Sequence, residues 1–163
     1  MGAVATVQSS VFAIRQLQPD DRERLRRLFY RLSPATVYRR FMSPIRRPSE
    51  RALDRLLDLD HRDREALAAV VDGEVIAVVR YARGPLADQA EIAIVVEDAW
   101  QHHGIGKLLL ALLARRGREE GIHTFTATMV GENRAAARLL KGYSTQATFS
   151  VSQGEVEAVV PIA

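Results

Sequence analysis

Gln101-His102-His103-Gly104-Ile105-Gly106-Lys107 follows an apolar strand, Ala90 to Val96, and opens a strongly amphipathic helix over 104–120 that closes at Gly121. Glycines at such a junction let the backbone come close to a ligand. The first-turn N–H groups of the helix point outward with the helix dipole behind them, so the junction predicts an anion site suited to a pyrophosphate. It is not a P-loop, because the spacing GxxxxGK followed by Ser or Thr is absent. With Gly104 and Gly106 alone, the Rossmann fingerprint is incomplete. A GxG before a helix is also an ordinary helix start, so the elements around it have to decide.

Upstream, Val11 to Leu17 reads as a strand. Pro19 and Asp20 open a helix through Leu32, with Leu25, Leu28, Phe29 and Leu32 at helical spacing. Ser33-Pro34 starts a second short helix carrying Val37, Tyr38 and Phe41, broken by Pro44 and Pro48. Ser49 caps a third, with Leu53, Leu56 and Leu57 on one face. Ala66 to Val71 and Val75 to Tyr81 form a hairpin about Asp72-Gly73, and Gly84-Pro85 ends it. Downstream come a strand from His123 to Val130 and a helix from Asn133 to Leu140. A last hairpin, Thr145 to Ser152 and Glu155 to Ile162, turns at Gln153-Gly154. Three successive strands on short turns argue for an α/β (α+β) fold, with a mixed, mostly antiparallel central sheet of six to seven strands flanked by helices. Residues 10–163 form one domain, and residues 1–9 are expected to be a mobile tail.

Composition sets outer limits. The chain has 163 residues, 47% of them hydrophobic and 26% charged, which excludes a disordered chain, a collagen and a coiled-coil rod. With no cysteine, a disulfide scaffold, a thiolate zinc finger and a thiol nucleophile are excluded. That absence fits a reducing compartment, and a cytoplasmic location is expected. Lys plus Arg is 23 against 20 for Asp plus Glu, mostly interleaved, as in Asp20-Asp21-Arg22-Glu23-Arg24. Arg39-Arg40 and Arg46-Arg47 are the local exceptions, and nucleic acid is not expected as a partner. No apolar run approaches the ~18 residues of a membrane span, and no secretory pattern opens the chain. Met1 to Thr6 fits a loose myristoylation pattern by coincidence, with no second anchoring signal nearby. His61, His102, His103 and His123 show no helical metal spacing, so no metal is expected.

Gln101 to Gly106 matches Gln or Arg, two residues, Gly, one residue, then Gly or Ala, the signature of the GNAT acyltransferase superfamily. Over nearly the whole chain the order of strands and helices also resembles that family's. Leu32 to Phe41, Asp72 to Tyr81, Ala90 to Val96 and Glu132-Asn133-Arg134 look like the catalytic domain of bacterial Pat-type protein lysine acetyltransferases. In relatives that domain follows a cyclic-nucleotide-binding or an acyl-CoA-synthetase-like domain. The resemblance implies acetyl-CoA as co-substrate, its pyrophosphate cradled by Gln101, His102, His103, Gly104, Ile105, Gly106 and Lys107. It also implies that Ile94, Val95 and Val96 splay from the neighbouring strand to pair with the pantetheine arm, and that Asn133 contacts the cofactor. One departure stands out: Leu139-Leu140-Lys141-Gly142-Tyr143 is about two residues shorter than the family pattern, which displaces Tyr143.

An amine attacks a thioester only as the free base, so a lysine of pKa ~10.4 needs a general base. Glu91 is the first candidate, because it lies on a strand whose other residues are apolar and a carboxylate there is costly unless it faces a wet cleft. Burial would raise its pKa, as suits a base, and Pat-type enzymes place a catalytic Glu at the matching position. Glu97 and Asp98 are reserve bases, and a strand-end Glu91 in solvent is the plain alternative. Tyr143 is the candidate acid for the leaving thiolate, with core packing as its alternative. A backbone N–H near Val96 is expected to meet the oxyanion. His102 and His103 donate to phosphate or sit in solvent, and Trp100 packs at the base of the loop. The expected function is direct acetyl transfer to a primary amine, with protein lysine leading by resemblance. Transfer to a small amine and a non-catalytic CoA-binding sensor are the rivals, and homodimerisation stays open.

Overall fold

A computed structural model describes residues 3–7, 10–42 and 48–163. Pro44, Arg46 and Arg47, which the sequence reading used, lie outside the described residues. In chain order the elements are β1 (Ala3–Val7), β2 (Ser10–Gln16), α1 (Arg22–Arg31), α2 (Pro34–Phe41), α3 (Glu50–Leu57), β3 (Arg64–Val71) and β4 (Glu74–Arg83). Then follow β5 (Gln89–Val96), α4 (Ile105–Glu119), β6 (Thr124–Val130), α5 (Arg134–Tyr143), β7 (Thr148–Ser152) and β8 (Glu155–Pro161). The strands form one mixed sheet in the order β1-β2-β3-β4-β5-β6-β8-β7. Every neighbouring pair is antiparallel except β5 with β6. The eighth strand is β1, where the sequence reading left a tail. Ala3–Val7 pairs with β2 from Ala3 against Ile14 to Val7 against Ser10, a cross-strand ladder that five residues do not announce alone.

Local chemistry sets most element boundaries. Ser33 and Ser49 cap α2 and α3 through their side-chain oxygens, which accept the N–H groups of Thr36 at 3.2 Å and Ala52 at 3.0 Å. Asp72 and Gly73 both take positive φ, 50° and 77°, as the two-residue hairpin between β3 and β4 requires. Periodicity then sorts the strands onto two faces. Ile76, Val79, Tyr81, Ala90, Ile92, Phe125, Ala127 and Met129 pack under α4 and α5. Leu17, Ala66, Ala68, Val75 and Val78 pack under α1 and α3. This second helical layer stops near β5. Beyond it Thr128 of β6 and Glu155 and Glu157 of β8 are exposed, with Arg39 and Arg40 of α2 bordering the same recess as Thr128.

The far end of the sheet closes on a buried carboxylate. Glu65, fully buried, accepts from Gln16 Nε2 at 3.0 Å, Arg116 Nε at 3.2 Å and the Ala66 N–H at 2.9 Å, with His61 Nδ1 at 2.7 Å. Beside it the buried Tyr81 hydroxyl donates to the Arg62 carbonyl at 2.9 Å. Burial, reinforced by the charge of Glu65, pushes the Tyr81 phenol up to about 12. An unfolded chain releases that proton near pH ~10. Between pH ~10 and 12 the unfolded state therefore binds fewer protons than the folded state, and stability falls as pH rises, by about 2–3 kcal/mol. Urea unfolding at pH 9 and pH 11.5 should show the wild type losing more stability over that interval than Tyr81→Phe. Equal losses would show that Tyr81 ionises alike in both states.

Candidate active site

The parallel pair β5 and β6 holds together over three positions only, from Gln89 against Thr124 to Glu91 against Thr126. Beyond Glu91 the two strands part. β5 continues against β4 alone, Ile94 opposite Val79 and Val96 opposite Ala77. The Glu97 N–H donates to the Ile76 carbonyl at 2.8 Å. Antiparallel ladders alternate, so the N–H groups of Ile94 and Val96 point away from β4 into the fork. The Val96 carbonyl is taken by Gln101, whose Nε2 donates to it at 3.0 Å and to Thr36 Oγ1 at 3.2 Å. Gln101 thus braces the splayed strand against α2.

Gly104 stands at the head of α4 with φ +82°, a conformation strained for any side chain, and the space beside it is open. The first helical acceptor, the Gly104 carbonyl, receives Leu108 N–H at 3.1 Å. The N–H groups of Ile105, Gly106 and Lys107 are left without a partner inside the helix. They border a cleft of about 270 Å³ that runs from this helix end along Ile94, Val95 and Val96 to the start of α5. Arg39, Arg40, His102 and Lys107 line it, and no carboxylate does among the described residues. Such a lining suits a polyanion.

Most of the residues expected for a cofactor meet here: Ile94, Val95, Val96, Gln101, His102, Gly104, Ile105, Gly106, Lys107 and Asn133. Asn133 has a second task, because its Oδ1 accepts the Ala136 N–H at 3.2 Å and caps α5. His103 departs from expectation. It lies outside the cleft lining, 6.2 Å from Trp100 ring to ring, with a buried Nδ1 that has no partner. Trp100 packs against the core at the base of the loop and also borders the cleft. Thr36, Ala136 and Leu139 join the lining without a sequence signal that singled them out. The sequence places α2 itself, through Ser33-Pro34, Val37, Tyr38 and Phe41, but not its part in the cleft.

The candidate acid–base groups separate. Glu91 is the last paired residue before the fork, on the same side of β5 as Ala93 and Val95. It is exposed, not buried as an apolar strand suggests. Glu97 is held by Arg31 Nε at 2.8 Å. Asp98 accepts from the Ser33 N–H at 2.9 Å, Ser33 Oγ at 2.7 Å and Thr36 Oγ1 at 2.9 Å, fixing the start of α2. Burial alone would raise the Asp98 pKa, but these hydrogen bonds outweigh it and hold the carboxyl below its ordinary value. Both reserve bases are therefore structural. Tyr143 ends α5 at the end opposite the cleft, packed on the core, its hydroxyl accepting from Arg118 Nη1 at 3.2 Å. The shortened segment seats it there, so it is not placed to protonate a group in the cleft. No cluster of metal-ligating side chains occurs among the described residues, and none of their helices is long and apolar enough to cross a membrane.

Comparison with known proteins gives this geometry a family. The pattern of the acetyltransferase (GNAT) family matches residues 25–143. An acetyltransferase of Pseudomonas aeruginosa is 36% identical over 126 residues, 75% of this chain and 68% of that protein. The acetyltransferase Pat of Mycolicibacterium smegmatis is 33% identical over 132 residues, 79% of this chain but only 39% of the longer relative. The GNAT domain of S. lividans PAT superposes with a TM-score of 0.90 at 30% identity, covering 98% of this chain and 96% of that domain. A forked sheet, a glycine-led helix start and these matches over most of the chain have one reading: the chain belongs to the GNAT family of acetyltransferases and is an acyl-CoA N-acyltransferase.

Proposed function

We propose that the protein moves an acetyl group from acetyl-CoA directly to a primary amine, with a lysine side chain of a folded protein as acceptor and Glu91 as base. The observation that carries this reading is the continuity of the cleft. It joins the unpartnered N–H groups of α4, suited to a pyrophosphate, to the free edge of β5, suited to an amide-bearing arm. Glu91 lies outside that lining, as the last paired residue before the fork, three positions before Ile94. The amine nitrogen bonds to the thioester carbon, the C–S bond breaks, and the amine's surplus proton passes to Glu91. The Ile94 and Val96 N–H groups supply donors for the oxyanion. CoA leaves as a thiolate, a far better leaving group than an alkoxide or amide, so the step does without the acid role considered for Tyr143.

Protein lysine as acceptor is supported by the likeness to the two Pat proteins. The exposed Thr128, Glu155 and Glu157 give a polar surface on the β6 and β8 side of the fork. Thiol release from acetyl-CoA should accordingly be faster with folded proteins than with polyamines or amino acids at matched amine concentration. Turnover on small amines alone would sink the protein-lysine assignment and leave the transfer chemistry standing. Glu91→Gln should keep acetyl-CoA affinity within about twofold and cut turnover by about 10²-fold or more. Unchanged turnover removes Glu91 from the mechanism. Gly104→Glu places a strained, anionic side chain at the phosphate end of the cleft, and calorimetry should detect no acetyl-CoA binding. Retained affinity would place the phosphates elsewhere.

A further inference from the structure

A second, larger cavity of about 510 Å³ lies on the other side of β5, beneath α1, α2 and α3. Pockets of roughly 300–1,000 Å³ hold whole small ligands, so this one far exceeds what an acetyl group fills. Its walls are mostly apolar, with Leu25, Leu28, Phe41 and Leu53 among them. The exposed Arg55 of α3 borders it, and two half-buried guanidinium groups line it as well, Arg40 from α2 and Arg80 from β4. Neither has a hydrogen-bond partner or a carboxylate within salt-bridge distance among the described residues. Arg15, Arg31, Arg83 and Arg116, by contrast, hold carboxylates. Arg40 rests 4.9 Å from the Phe41 ring. Burial, and then the like charge of Arg80, pulls Arg40 down to about 10, with Glu91 partly offsetting them. Burial also lowers Arg80. Both are half-buried, and two cations without an ion-pair partner among the described residues, set against mostly apolar walls, suit an anion.

The chamber meets the cofactor cleft at the fork. Arg40 lines both, and it also borders a small recess of about 60 Å³ within the fork. Ala93 is shared by the recess and the chamber, and its cross-strand partner is Arg80. Partners across an antiparallel pair share a face, so Arg80 stands next to the point at which a thioester in the fork would direct its acyl chain. An incoming amine is poorly matched to this chamber, because the two cations oppose an ammonium. The open face beside Glu91 is left for the amine.

We propose that the chamber receives the acyl chain of the donor, and that Arg40 and Arg80 select a chain ending in a carboxylate: a CoA monothioester of a short dicarboxylic acid. This rests on the acyl-CoA reading of the cleft. The transfer itself is unchanged: the amine nitrogen bonds to the thioester carbon, CoA leaves as the thiolate, and the amine proton goes to the base. The distal carboxylate does not react.

Calorimetry with the full chain and three CoA esters, acetyl, butyryl and succinyl, tests this without any acceptor. Butyryl and succinyl have the same chain length and differ in the terminal charge. Succinyl-CoA should bind at least about 10-fold tighter than butyryl-CoA. Arg80→Met should bring that ratio close to one, and Arg80→Lys should retain part of it. Arg80→Met removes an unpaired charge in favour of an apolar chain of similar reach, and Arg80→Lys covers the case in which it fails to fold. Equal binding of butyryl and succinyl esters, or a ratio indifferent to Arg80, overturns the inference while acetyl-CoA binding upholds the cleft. Failure of all three esters to bind overturns the cleft reading and this inference together. Free leucine or phenylalanine that binds in an Arg80-dependent way, with no preference between the esters, would assign the chamber to an amino-acid acceptor and overturn the donor assignment.

Discussion

β5 leaves β6 after Glu91 and Thr126, and the backbone groups stranded by this parting account for much of what surrounds it. A sheet interior normally satisfies both edges of each strand, and an unpaired N–H or C=O shut from water is costly. Here the Val96 carbonyl is satisfied by Gln101, while the Ile94 and Val96 N–H groups open into the cleft. The strand is kept from closing by what is wedged beside it. Leu139 and Ala136 of α5 enter from one side, and Arg40 of α2 from the other. The binding edge is therefore a deliberate vacancy in the ladder, held open by side chains from elements far away in sequence.

Charge follows the same geometry. The free N–H groups of α4 put partial positive charge at one end of the cleft, and Arg39, Arg40 and Lys107 extend it. Acidic groups near the cleft are tied up elsewhere, Glu97 by Arg31 and Asp98 by Ser33 and Thr36. Asp98 thus joins the strand end to α2, and Gln101 adds a second tie through Thr36. Through these ties the helix carrying Arg40 is held in a fixed relation to the fork. Glu91 remains exposed beside the fork.

Much of the molecule is legible in the chain because its causes are local. Ser33, Ser49 and Asn133 cap helices that begin one residue later, through oxygens that reach N–H groups three residues on. Asp72-Gly73 makes its hairpin from its own two dihedrals. The apolar run from Ala90 to Val96 and the glycine at 104 predict a strand followed by an anion-binding helix start. Causes that act across the sequence were hidden. The strand Ala3–Val7 exists because β2 offers it an edge. Asp98 meets Ser33 across 65 positions, and Arg118 meets Tyr143 across 25.

The sequence by itself determined the succession of elements, most of their caps and turns, and the position of the glycine-led helix start, because each depends on hydrogen bonds and periodicities spanning a few residues. Only the tertiary structure decided which polar groups are free and which are spent. It turned Gln101 into a brace, His103 away from the cleft, Tyr143 to the far end of α5, and Glu97 and Asp98 into anchors. It also left Arg40 and Arg80 in a mostly apolar chamber with no carboxylate within salt-bridge distance among the described residues. The reason is physical: a side chain's chemistry is fixed by its type, but its availability depends on partners that folding alone brings within hydrogen-bond distance.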